Sequence, residues 1–189
     1  MTSDADRQLL LSVARRALTA HVTGAAPPEP ESTDILRRPA GVFVTLHHRG
    51  ELRGCIGHVE ASEPLGCVVA RCAVAAGTSD LRFTAVTPAE LADLEIELSI
   101  LGPLESISTP EHIEIGRHGL LVELGSRRGL LLPQVATEWQ WDRETFVAQT
   151  CRKAGLPPDA WKTGAQVWRF DAEVFGEDAL RTISHRRPS

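Results

Sequence analysis

A chain of 189 residues with 42% hydrophobic and 24% charged side chains can bury one real core, and is expected to form a single domain over 1–189 with two lobes. Its net charge of -5 offers no whole-molecule attraction for nucleic acid or an anionic membrane. The amino terminus MTSDADRQLL carries neither a basic stretch nor an apolar run, so neither export nor membrane insertion is signalled and a cytoplasmic address follows. The four cysteines form no CxxC pair and are expected as free thiols.

From about Asp4 to Ala20, Leu9, Leu10, Val13, Ala14, Ala17 and Leu18 form one apolar stripe with arginines opposite, the pattern of an amphipathic helix. Residues 24–39 break that period and are expected to be a flexible, Pro-rich connection open to proteases. Gly41 to His48 alternates like a strand, His48-Arg49-Gly50-Glu51 supplies a turn, and Leu52 to Val59 returns as the second strand of a hairpin. A helix follows, with Pro64 at its first position, ending at Gly77; it carries Cys67 and Cys72, both expected to be hidden in packing. Ser79 to Phe83 is a loop. Leu94 to Leu101 alternates Ile96, Leu98 and Ile100 against Glu95, Glu97 and Ser99, a strand with one apolar and one acidic face. A second hairpin is expected around GSRRG, with Arg127 and Arg128 in its turn, followed by a short helical piece from Pro133. Asp142 caps a helix over Arg143 to Ala154 that buries Cys151, Ala165 to Phe175 closes the fold as a strand, and 181–189 is a frayed basic tail. Hairpins imply antiparallel pairing, so the fold class is α+β, a mostly antiparallel sheet with flanking helices.

The hairpin's second strand contains LRGCIG, Leu52 to Gly57. Two residues apart on a strand, Arg53 and Cys55 project from one face about 6 to 7 Å apart. A cation there would favour the thiolate, and Gly54 and Gly57 would admit a ligand or another backbone. A cysteine between glycines is also an ordinary packing residue. Simple alternation places His58 on the opposite face from Cys55 unless a bulge turns it round. Glu97 and Ser99, on the acidic face of their strand, are candidates to stand opposite Arg53.

These blocks, together with SDLRF at Ser79 to Phe83, LEIELSIL at Leu94 to Leu101, GRHGLLVE, GLLLPQVA, WDRETF and CRKAGL, closely resemble the AMMECR domain family, the component called system protein A of AmmeMemoRadiSam gene sets. The resemblance spans about Gly41 to Gly176. It implies a two-lobed α+β protein with the LRGCIG strand lining a cleft, an unsettled activity, and work alongside Memo-type and radical SAM proteins. The family pattern DPRFPP stands here as Asp80-Leu81-Arg82-Phe83-Thr84-Ala85, which keeps the charged pair and is expected to loosen the loop around it.

Two functions compete. In one, the protein is an accessory or binding component whose cleft takes a small anionic ligand, with Gly54, Gly57, His58, Asp80, Arg82, Ser99 and Gln134 as the ligand-binding candidates. In the other it is a thiol-dependent enzyme: Cys55 is the nucleophile or a thiol ligand to substrate, Arg53 lowers its pKa or clamps an anion, and Glu97 or His58 moves protons. A nucleic-acid-associated role is a third reading, with little in the charge balance to support it. No cofactor motif is present, and Cys55 and His58 with His47 and His48 lack the second spaced pair a metal site needs.

Overall fold

The structure is a computed structural model that describes residues 2–26 and 32–178. The chain divides into two units, Met1–Ile100 with Glu173–Ser189 and Leu101–Ala172, which are taken separately. Among the described residues, no helix is long and apolar enough to cross a membrane.

In the first unit, α1 (Asp4–Thr23) starts at a capping box in which the Ser3 hydroxyl accepts from the Asp6 N–H while the Asp6 carboxylate accepts from Ser3. Its stripe buries Leu10, Leu11, Ala14, Ala17 and Leu18. Three strands follow the order β2–β1–β3, with β1 (Val42–His48), β2 (Glu51–His58) and β3 (Leu94–Leu101) all antiparallel. Alternation divides their side chains cleanly: Val42, Val44 and Leu46 with Ile96, Leu98 and Ile100 face the helices and are at most 4% exposed. Helix α3 (Leu65–Thr78) packs on this face and brings Val68, Val69, Cys72, Ala73 and Ala76 into the same core. Pro64 is the residue just before the helix, one position earlier than expected from sequence.

The 24–39 connection is corrected in part. Helix α2 (Asp34–Arg37) lies within it and buries Ile35 and Leu36 against the core, and Pro39 bridges Pro64. Four residues are too few to show a period, which is why the pattern passed for loop. Residues 27–31 of the same connection, and the 181–189 tail, lie outside the described residues.

In the second unit, β5 (His118–Leu124) pairs with β6 (Arg127–Leu131) and with β7 (Gln166–Gly176), whose first half also pairs with the short β4 (Glu105–Ile107). Leu124 stands opposite Arg127, so Arg127 and Arg128 are strand residues rather than turn residues, and the turn is Gly125-Ser126. Helices α4 (Pro133–Glu138) and α5 (Arg143–Lys153) complete the unit. Asp142 caps α5 as expected, accepting from the Thr145 N–H at 2.8 Å, and Phe146, Val147, Thr150 and Cys151 are buried.

Candidate functional site

The β1–β2 turn sets the site's register. Arg49 and Gly50 both have positive φ (54° and 84°), as a two-residue hairpin loop requires, and His48 pairs with Glu51 and His47 with Leu52. Continued without interruption, that register would set Cys55 opposite Val44, on the core face. Instead Leu46 pairs with Gly54, so Arg53 is one extra residue, a β-bulge, and Cys55 stands opposite Thr45. A one-residue slip moves every following side chain to the other face. The bulge is therefore what turns Cys55 away from the core and onto the face shared with Phe43, Thr45, Glu97 and Ser99. Thr45 sits between Cys55 and Glu97 in one cross-strand row, and Phe43 between Gly57 and Ser99 in the next.

The same bulge removes Arg53 from the thiol, which corrects the expected Arg53–Cys55 pair. Arg53 is only 14% exposed; its Nε donates to Glu90 at 2.8 Å and its Nη1 to the Thr84 carbonyl at 2.8 Å. The guanidinium, with the Thr87 N–H, pulls the Glu90 carboxyl down to about 2. Arg53 also grips the backbone where the family pattern has its two prolines, donating to the Thr84 carbonyl at 2.8 Å and to the Ala85 carbonyl at 3.5 Å.

The cation near Cys55 is Arg82. Asp80, 8% exposed, accepts from the Cys55 backbone N–H at 2.9 Å, from the Arg82 N–H at 3.2 Å, and from Arg82 Nε and Nη2 at 3.0 and 2.7 Å. Strand β2 is the edge of its sheet, and Asp80 satisfies an edge donor that would otherwise need water. The Arg82 hydrogen bonds, followed by those from the backbone, hold the Asp80 carboxyl far below the usual aspartate range despite burial. Arg82 itself is 57% exposed and lies over the Phe83 ring at 5.4 Å.

Burial pushes the Cys55 thiol up; the Thr45 hydroxyl, which donates to Sγ at 3.4 Å, and the Arg82 charge work against burial, while Asp80 and Glu97 reinforce it. This is the reverse of the expected thiolate. A second correction concerns Cys67, which is exposed on α3, whereas Cys55 is half-buried and Cys72 and Cys151 are buried. A small alkylating reagent is thus expected to modify Cys67 first and Cys55 more slowly, with Cys72 and Cys151 protected. Arg53→Gln should leave the Cys55 rate unchanged at neutral pH, while Arg82→Gln should slow it. Mass mapping that finds Cys55 ahead of Cys67 would show that the thiol is more open and more acidic than its setting implies.

The remaining candidates fall as follows. Gly54 and Gly57 do allow close approach, but the groups that approach are the protein's own: a Cβ on Gly54 would lie 2.1 Å from the Ala76 carbonyl oxygen, and one on Gly57 would lie 2.2 Å from the Phe43 ring. His58 pairs with Val42 and so projects from the core face, opposite Cys55, with its Nε2 unpaired. Ser99 shares the Cys55 face, is 1% exposed, and its Oγ has no hydrogen-bond partner. Gln134 lies on α4, in the second unit. Thr45 and Glu90 were not singled out by sequence. The outward phase of β1 marks Thr45, but no local pattern links Glu90 to an arginine 37 residues earlier. Among the described residues no cluster of three metal-ligating side chains forms.

The AMMECR1 family model matches residues 11–175. A protein of Methanothermobacter thermautotrophicus is 45% identical over 179 residues, covering 89% of this chain and 93% of that one. One of Thermococcus kodakarensis is 43% identical over 195 residues, covering 96% and 95%. The crystal structure of the uncharacterized protein PH0010 from Pyrococcus horikoshii is similar throughout, with a TM-score of 0.87, 40% identity and 93% of each chain covered.

Proposed function

The chain belongs to the AMMECR1 family, and we propose that it serves as an accessory, ligand-binding component whose Cys55 face takes a small anionic group through Arg82, alongside Memo-type and radical SAM proteins. The observation that carries this reading is the division of labour between the two arginines. Arg53 is consumed in structure, tied to Glu90 and to the Thr84 carbonyl. Arg82 has its Nε and Nη2 edge held by a buried carboxylate, which orients the planar guanidinium while more than half of the side chain stays exposed. A fork fixed in this way binds carboxylate or phosphate with little ordering cost. The thiol-enzyme reading is weaker on the same geometry, because burial disfavours the thiolate a nucleophile requires and the nearest carboxylates, Asp80 and Glu97, disfavour it further.

Capture of metabolites from a cell extract, followed by mass spectrometry, tests the reading. The native protein should retain an anionic compound that Arg82→Ala loses. Arg82→Lys, which keeps a cation for Asp80 without the fork, should bind it more weakly, and Cys55→Ser should bind it normally. Equal retention by native protein and Arg82→Ala would sink the proposal.

A further inference from the structure

The second unit holds a cavity of about 390 Å³, a volume suited to a small molecule. It arises from how β4 and β7 part company. The two strands pair from Glu105 with Arg169 to Ile107 with Val167. Beyond that point the β4 side turns away through Ser108 and Thr109 into a short 3₁₀ turn at Pro110–His112. The β7 side leads back through Gln166 and Ala165, whose N–H donates to the Ala160 carbonyl. The strands splay, and the gap between them is the cavity, with Val147 of α5, 1% exposed, in its wall.

The wall has a distinct chemistry. Two of the chain's four tryptophans, Trp161 and Trp168, contribute to it. Polar groups come from Ser106, Ser108, Thr109 and Gln166. None of the side chains in the wall among the described residues is ionisable. Lys162 lies outside the wall, with its Nζ 4.8 Å from the Trp161 ring centroid. A charged ligand would meet no countercharge here, and a purely aliphatic one would leave the hydroxyls and the amide unpaired. What the wall complements is a ring with an apolar face and a hydrogen-bonding edge.

We propose that this cavity is a second binding site, separate from the Arg82 face, for an uncharged ring compound that packs against Trp161 or Trp168 and bonds through its edge to the Ser/Thr/Gln rim. A nucleoside base and a sugar ring both have this chemistry, so the test uses one of each. The chain contains no tyrosine, so its intrinsic emission is dominated by tryptophan, and two of its four tryptophans stand in the wall.

Adenosine and methyl glucoside are titrated separately into the whole protein at up to millimolar concentration while tryptophan emission is followed. A saturable change with either probe supports the site and names which ring class it prefers. Ser108 is exposed, so Ser108→Tyr places a ring in the mouth without touching the core, and should weaken binding about tenfold or more while leaving the melting temperature unchanged. Gln166→Ala, also at an exposed position, should weaken it less, and Arg82→Ala should not alter it. No saturable change with either probe, or a change that survives Ser108→Tyr, overturns the proposal.

Discussion

Gly54→Ala is expected to destabilise the protein by about 3 kcal/mol or more, because its new methyl group has nowhere to go. The Cβ would lie 2.1 Å from the Ala76 carbonyl oxygen and 3.0 Å from its carbon, so strand backbone and helix backbone would both have to move. Gly57→Ala is the matched control. Its Cβ would meet the Phe43 ring first, at 2.2 Å, and a side chain can turn where a helix cannot, so about 1 to 2 kcal/mol is expected. Urea unfolding of both variants makes the comparison. The larger loss should also expose Cys55, since α3 runs directly into the segment that places Asp80 against the Cys55 N–H. If Gly54→Ala costs no more than Gly57→Ala, α3 is free to retreat and the close approach is not what positions the site.

How much of this was legible in the sequence depended on the range over which each feature is encoded. The Leu94–Leu101 strand was found with its true bounds because every second residue is apolar and one face is buried. The Asp142 cap and the Arg49-Gly50 turn were legible because each is a local signal read within four residues. The bulge was not. Glycine at position 54 hinted at an irregularity, but period-two reasoning assumes that no residue is extra, and one extra residue exchanged the roles of Arg53 and Arg82. The Arg53–Glu90 and Asp80–Cys55 bonds join residues 37 and 25 positions apart, which no window of local pattern spans. The family resemblance supplied Asp80 and Arg82 as a pair, and only the geometry separated a buried anchor from an exposed fork. Three-residue β4 and four-residue α2 are too short for any period to declare them.

Asp80→Ala is expected to cost about 3 kcal/mol at neutral pH. The buried carboxylate accepts four hydrogen bonds, two of them from a guanidinium, and the Cys55 N–H it serves lies on an edge strand. Charge-assisted bonds of this kind contribute about 1.5 to 3 kcal/mol each, but Arg82 is largely exposed and recovers water when released, so its share is reduced. The pH dependence separates charge from shape. Asp80 has a folded pKa below its ordinary value, so its contribution is complete above the unfolded pKa of about 4 and is lost as pH falls toward the depressed value. The stability difference between native protein and Asp80→Asn, which keeps the size and loses the charge, should be constant from pH 7 to about 5 and shrink by pH 3. Glu90, lowered to about 2, titrates in the same acid range, but it is present in both proteins and cancels in the difference. Urea midpoints at the three pH values measure this directly. A difference that stays constant down to pH 3 would mean that Asp80 holds the loop by hydrogen-bond geometry alone. The Arg82 fork would then owe its orientation to the Phe83 ring rather than to a buried charge.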